Sequence, residues 1–225
     1  RHVIIPGFSL GALVDVNTDG RPSTAADGDD VPLPSDEDGV VFDPATPLIP
    51  NRSFKLTVST SGIGTVVPFG ILSGWIDFNH DGDWSDVGER ILTNVTLNPS
   101  VLDSNGNITF ANLAVPIWAV PGDTYARFRL STTSGLGVTG EADAGEVEDY
   151  RIVILANPWQ NSPNPYDVNN DGGVSPIDAL LLINYINGNP TNPLPLPKPA
   201  NEPFYDVSGD GSASALDVLQ VVNEI

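Results

Sequence analysis

The sequence predicts a mainly β protein: an antiparallel β-sandwich followed by a small α-helical module made of two loop–helix units. Three observations support this fold class. Residues before 155 form short β-branched runs, the periodicity becomes helical only after residue 165, and the C-terminal segment contains an internal repeat. Each observation is typical of one part of the predicted architecture.

Six runs of alternating or β-branched residues define the predicted strands. They span 54–60, 71–78, 91–97, 107–115, 124–132 and 147–155, and Gly, Pro, Asn and Asp clusters separate them. Several short strands at this spacing indicate an antiparallel sandwich, which we assign to residues 1–155. The acidic, turn-rich stretch 15–39 has no such run, and we expect it to wrap the sandwich as a loop.

The segment 156–165 is rich in Pro and Asn and is predicted to be a linker, because proline cannot sit in an internal strand. Helical periodicity follows in 179–186 and 215–225. The Pro-rich stretch 188–203 separates these two helices and is predicted to be extended. Residues 166–225 therefore form the predicted second domain.

Charge restricts the partners of the chain. With 9 basic and 29 acidic side chains, the formal charge is −20. Nucleic acid and anionic membranes are excluded as default partners because both require basic patches, whereas divalent cations are favoured. No apolar run has the length of a membrane span, and no signal peptide precedes Arg1, so we expect a mature or excised piece. The composition favours an extracellular protein.

The C-terminal segment repeats itself with an offset of 39 residues, since "YDVNNDGGVSPIDALLLINYI" is echoed by "YDVSGDGSASALDVLQVVNEI". Each copy has oxygen side chains at loop positions 1, 3 and 5, Gly at 6 and Asp at 12. This is the spacing of an EF-hand calcium loop, whose twelfth residue binds from the following helix. The first predicted site comprises Asp167, Asn169, Asp171, Asp178 and the carbonyl of Gly173; the second comprises Asp206, Ser208, Asp210, Asp217 and the carbonyl of Ser212. Ser175 and Ser214 would reach the ion through water.

The alternative for a single copy is a turn held by Asx side chains. Two copies in register, each leading into a helix, favour calcium ions that neutralise the acids.

The repeat resembles a type I dockerin module over 166–225. The resemblance implies docking onto a cohesin-like domain through the helices and loop positions 10 and 11, which here are Pro176, Ile177, Ala215 and Leu216. No basic residue stands near the end of either helix, which suits an apolar contact with that partner or with a neighbouring subunit.

A second acidic stretch, "WIDFNHDGDWSDVGE" (75–89), alternates oxygen side chains after a strand. Calcium and a hydrogen-bonded Asx turn are the two interpretations. The candidate ligands are Asp77, Asn79, Asp81, Asp83 and Glu89. Weaker candidates of the same kind are Asp15, Asn17 and Asp19 in "DVNTDG", and Asp36 and Asp38 in "SDEDGV".

Two further carboxylates, Glu146 and Glu148, share parity with the expected core face of the last strand. A metal ion or an arginine would be a suitable partner for each. Arg127, Arg129 and Arg151 also alternate on strands, so pairing with neighbouring acids on the outer sheet face is the alternative to a metal ion, and the sequence favours neither.

"GEVEDY", with "WIDFNHDGDW" and "GDTYARFRLS" upstream, resembles the GEVEDY family of bacterial extracellular domains over 1–155. The resemblance implies a secreted adhesive or structural module of large cell-surface proteins. Its combination with a dockerin is similar to planctomycete-type surface proteins.

Three functions follow from these patterns. The first is a non-enzymatic, calcium-stabilised assembly module that contributes to a surface fibre, layer or anchor. The second is a dockerin-tethered glycosidase with paired carboxylates. The third is carbohydrate binding by exposed tryptophans among Trp75, Trp84, Trp118 and Trp159, although we expect Trp75 and Trp118 in the core. We predict the first, with no catalytic residues.

Overall fold

The computed structural model describes residues 2–13, 37–189 and 193–225. The chain forms two compact units. The first contains Arg1–Leu48 and Ser53–Ile154, and the second contains Ile49–Arg52 and Leu155–Ile225. The sequence predicts a linker over 156–165, but this segment lies in the second unit because Trp159 is buried there and Gln160 donates a hydrogen bond to the Val207 carbonyl at 3.0 Å.

The described part of the first unit contains eight strands. They are β1 (Ser9–Leu10), β2 (Val40–Phe42), β3 (Ser53–Ser61), β4 (Gly70–Ile76), β5 (Arg90–Leu97), β6 (Asn107–Ala114), β7 (Gly122–Ser131) and β8 (Glu146–Ile154). In one sheet β3 pairs with β6, and also with the short strands β1 and β2; the other sheet has the order β5-β4-β7-β8. All pairs are antiparallel. The predicted fold class is confirmed.

Alternation along β3 shows why these residues form a sandwich. Phe54, Leu56 and Val58 are buried, while the residues between them are partly exposed. The buried face packs on Leu72 of β4 and Phe128 of β7 in one apolar core. This alternation is what a strand needs when one of its faces packs on the core and the other faces solvent.

Arginines organise the outer face of the second sheet. Arg127 pairs with Asp149 at 2.5 Å and Arg151 pairs with Asp123 at 2.7 Å, so these two arginines form ion pairs. Arg129 forms no salt bridge within the described residues and donates instead to backbone carbonyls of the 137–140 segment. Burial and the nearby Arg129 lower the pKa of His2, which accepts from Arg129 Nε at 3.0 Å, to about 3.

The two tryptophans predicted to lie in the core differ in burial. Trp75 lies in the interior, as predicted. The prediction for Trp118 is wrong, because its side chain is 42% exposed in a turn after β6, where it contacts Phe78 edge to face.

The second unit contains two helices, α1 (Pro176–Gly188) and α2 (Ala215–Glu224). Ser175 and Ser214 are their N-caps, and Pro176 occupies the first turn, where its missing N–H costs no hydrogen bond. Leu182 of α1 and Val221 of α2 are fully buried in a core that also contains Val168, Trp159, Leu194, Tyr205 and Val207. Neither described helix is long and apolar enough to cross a membrane.

Candidate metal-binding loops

The first acid of each C-terminal loop folds the loop around its own carboxylate. Asp167 accepts hydrogen bonds from the backbone N–H groups of Asp171 at 3.1 Å and Gly172 at 2.9 Å. Asp206 accepts from the Gly211 N–H at 2.8 Å. Both acids are buried, so the chain wraps them as an EF-hand loop does.

The last acid of each loop joins the loop to its helix. Asp178 and Asp217 are fully buried and accept from the backbone N–H of Ser175 at 2.9 Å and Ser214 at 2.8 Å, which completes a capping box in each helix. Asp178 also accepts from the Val168 N–H across the loop at 2.8 Å. The two serines expected to reach an ion through water are therefore helix caps.

Side chains at the middle positions of the loops accept hydrogen bonds from nearby backbone N–H groups. Asn169 Oδ1 accepts from the Asp171 N–H at 3.0 Å, and Asp171 accepts from the Gly173 N–H at 3.1 Å. In the second loop Asp210 accepts from the Ser212 N–H at 2.8 Å. Asp171 and Asp210 are exposed, which leaves their carboxylates accessible to a solvated ion.

The described residues do not bring three or more His, Cys, Asp or Glu side chains into a ready-made metal cluster. The second loop nevertheless contains two buried oxygens without hydrogen-bond partners, Asp206 Oδ1 and Ser208 Oγ. Burial raises the pKa of Asp206, although hydrogen bonds from Asn157 and Gly211 oppose the rise. A hard divalent cation takes oxygen ligands of this kind, so the residues present fit calcium.

The loop after β4 uses the same hydrogen bonds on a β-scaffold. Asp77 accepts from the Gly82 N–H at 3.1 Å, five residues on, as the first acids of the C-terminal loops do. The terminal acid, Glu89, accepts from the Phe78 N–H at 3.0 Å and the Asp86 N–H at 3.1 Å. Burial raises the pKa of Glu89, while these two hydrogen bonds lower it.

Sequence reasoning missed one acid of this loop. The side chain of Asp86 accepts from Asn79 Nδ2 at 2.6 Å, and the same Nδ2 donates to Asp81 at 2.9 Å. Asp81 also accepts from the Asp83 N–H at 3.0 Å. The available signal was spacing, because Asp86 precedes Glu89 by three residues, as Ser175 precedes Asp178.

The buried carboxylates of β8 accept hydrogen bonds from backbone amides in β1 and just before β2. Glu146 accepts from the Leu10 N–H at 2.6 Å, and Glu148 accepts from the Gly39 N–H at 3.1 Å and the Tyr150 hydroxyl at 2.8 Å. Glu148 forms no salt bridge with an arginine among the described residues, and a metal ion at Glu146 and Glu148 stays a prediction. Alternation identifies a buried carboxylate but not the loop that covers it.

The weaker candidates lie around the acidic N-terminal stretch. Asp15, Asn17, Asp19 and Asp36 lie outside the described residues. Asp38 accepts from the backbone N–H groups of Ala12 at 3.0 Å and Leu13 at 3.4 Å, so its carboxylate ties two separate segments of chain together.

Comparison with family models matches residues 71–153 to the GEVED domain and residues 165–225 to the type I dockerin domain. The chain carries a GEVED domain followed by a type I dockerin domain. No curated protein matches it significantly. Type I dockerin domains bind calcium and assemble proteins through cohesin domains, and both modules are non-catalytic. Dockerin-containing proteins are typically extracellular or on the cell surface.

The "GEVEDY" motif of the GEVED domain, residues 145–150, holds the last strand in the sandwich. Gly145 has a φ of +111°, and a Cβ there would lie 1.9 Å from the Leu130 carbonyl oxygen, so only glycine fits. Asp149 pairs with Arg127, and the Tyr150 hydroxyl accepts from the Val40 N–H at 2.8 Å. Glu146, Glu148 and Tyr150 therefore fix the last strand to β1 and to the start of β2, while Asp149 fixes it to β7.

Replacing Glu148 by Gln should make the stability of the GEVED domain less dependent on pH. Burial raises the pKa of Glu148 from 4.5 to about 8, so its contribution is fully present below pH 4.5 and is lost as the pH rises through 8. We expect the wild-type melting temperature to fall more between pH 5 and pH 8 than that of E148Q. The exposed Glu141→Gln is the control, and parallel profiles for wild type and E148Q would contradict the assignment.

An apolar face covers both dockerin helices. It comprises Ile177, Leu180 and Ile183 of α1 with Leu216, Leu219 and Val222 of α2, whose exposed fractions range from 41% to 56%. Each α1 residue has its α2 counterpart 39 positions later. The repeat therefore gives the dockerin two equivalent faces, and the predicted partner residues Ile177 and Leu216 begin them. Pro176 and Ala215, at the adjoining positions, are also exposed.

Proposed function

We propose that this chain is a calcium-stabilised, non-enzymatic structural or adhesion module of an extracellular protein, and that its dockerin attaches it to a cohesin-like domain or to a neighbouring subunit. The observation that carries the proposal is the paired apolar face of the dockerin helices. A soluble domain rarely leaves so many large apolar side chains exposed on its helices unless another protein binds them. The last turns of both helices lack basic residues, which favours a mainly apolar contact.

Calcium would stabilise the two loops from which the helices that carry this face begin. The ligands we assign are Asp167, Asn169, Asp171, the Gly173 carbonyl and Asp178 in the first loop, and Asp206, Ser208, Asp210, the Ser212 carbonyl and Asp217 in the second. The ion would supply the positive charge that these acids lack. The unpartnered Asp206 Oδ1 supports the assignment, since a buried carboxylate oxygen is costly without a partner.

The GEVED loop is assigned the same role, with Asp77, Asn79, Asp81, Asp83, Asp86 and Glu89 as candidate ligands. We expect Asp81→Ala to lower the melting temperature of the GEVED domain in calcium and to leave it nearly unchanged in chelator, because the lost stabilisation is that of a bound ion. Calorimetry under both conditions measures it, with exposed Asp143→Ala as the control. Equal losses in calcium and in chelator would contradict a metal role.

Burial of the sandwich carboxylates favours the non-enzymatic reading over a glycosidase. Asp77, Glu89 and Glu148 are at most 4% exposed, and each accepts backbone hydrogen bonds. A glycosidase needs two carboxyl groups that reach a sugar.

The test of the proposed function is co-sedimentation of the chain with a type I cohesin domain, and with itself, in calcium and in chelator. Polysaccharide hydrolysis that depends on one of these carboxylates would overturn the proposal.

Assembly with a second copy would build a surface fibre or layer, whereas a cohesin-like partner would anchor the chain to another protein. The two outcomes of the co-sedimentation assay separate these forms.

A further inference from the structure

A cation of the chain itself lies against the second calcium loop. The segment Ile49–Arg52 belongs to the C-terminal unit, and Asn51 Nδ2 donates to the Gly209 carbonyl at 3.4 Å. The Arg52 guanidinium covers Gly211, because a Cβ on that glycine would lie 2.6 Å from Arg52 Nε and 2.9 Å from Cζ. Gly211 occupies position 6 of the loop, where the chain turns around the predicted ion.

The positive charge of Arg52 is not neutralised by contact. Its Nη1 donates to the Leu194 carbonyl at 3.1 Å, while Nε and Nη2 are buried without hydrogen-bond partners. Within the described residues Arg52 forms no salt bridge. Asp206 and Asp210 nevertheless interact with it electrostatically. The guanidinium therefore acts on the loop acids through space.

Among the described residues, no side chain packs on the equivalent glycine of the first loop. A Cβ on Gly172, the counterpart of Gly211, would meet no atom within 4 Å among the described residues. The charges of the two loops are otherwise matched, since each has Asp at positions 1, 5 and 12. The two loops thus differ in their electrostatic surroundings more than in their acids.

Resting on the proposed calcium binding by both loops, we propose that Arg52 is an affinity-determining residue of the second loop and weakens its binding of calcium. A guanidinium remains charged at any accessible pH, so it always repels a divalent ion beside it. Asp206 Oδ1 and Ser208 Oγ, which lack partners although Arg52 is near, stay available to the ion. The loops would then fill at different calcium concentrations, with the second loop responding only at the higher level.

The test is a calcium titration of the full chain followed by NMR at the backbone amides of Gly172 and Gly211, which report the two loops separately. We expect Arg52→Gln to raise the affinity of the second loop by about threefold to tenfold, the size of one nearby charge at high effective dielectric, and to leave the first loop unchanged. Arg52→Lys retains the charge and should stay within about twofold of wild type. Arg151→Gln, which removes an exposed arginine of the GEVED domain, should change neither loop.

An unchanged or lower second-loop affinity in the Gln variant would overturn the inference while leaving the proposed function intact. If neither loop of the wild-type chain binds calcium, both fail. Should the Gln variant not fold, Arg52→Met retains the aliphatic stem and takes its place with the same expectation.

Discussion

Replacing Ile177 and Leu216 together by Asp should abolish calcium-dependent association of the chain with its protein partner. The two side chains are 56% and 48% exposed at equivalent positions of the repeat, so the double variant removes the face in either orientation of the dockerin. Central apolar residues of an interface each contribute about 2 kcal/mol or more, and burying a carboxylate there adds a penalty. We expect affinity for a cohesin domain, or self-association, to fall at least about 100-fold.

Val101→Asp with Ile117→Asp is the matched control, because it adds the same charge at exposed apolar positions in turns of the GEVED domain. Sedimentation velocity measures association, and calorimetry measures calcium binding. The assembly proposal fails if the dockerin double variant still associates normally. A loss of calcium affinity in that variant would show instead that the substitutions had damaged the loops.

Removing calcium should unfold the dockerin helices while the GEVED domain stays folded. Each loop carries three Asp side chains within twelve residues, and two short helices are marginally stable alone. At a calcium concentration of 100 times Kd, each site contributes about 2.7 kcal/mol, so two sites approach the whole stability of a small domain. We expect far-UV circular dichroism of the full chain to lose its helical component in chelator and to regain it when calcium is added.

Sodium chloride at matched ionic strength is the control, because it screens charge without occupying the loops. Amide NMR signals of α1 and α2 should collapse in chelator while those of β3 and β4 persist. Helices that remain equally formed with and without calcium would contradict the coupling of metal binding to dockerin folding.

Several features of this protein were determined by local sequence. The strands from β3 to β8 were predicted within about two residues, because each is an alternating or β-branched run between strong turn residues. The repeat located both C-terminal loops, and the structure builds them with the same hydrogen bonds from their first and last acids. In each case the deciding interactions join residues close in sequence, which spacing alone reveals.

The short strands β1 and β2 were not predicted from the sequence. Pairing with β3 stabilises them, and their own two or three residues are too few to show a strand pattern. Helix α1 begins three residues earlier than its apolar run, since the capping box of Ser175 and Asp178 sets its start.

Contacts between distant residues were decided only by the tertiary structure. The backbone partners of Glu146 and Glu148 lie more than a hundred residues earlier in the chain. Trp159 enters the dockerin core rather than a linker, and Arg52 reaches the second C-terminal loop across a comparable separation. Sequence identifies a carboxylate, a ring or a guanidinium that needs a partner. The identity of that partner depends on which distant segments the fold brings together, and local periodicity does not encode this.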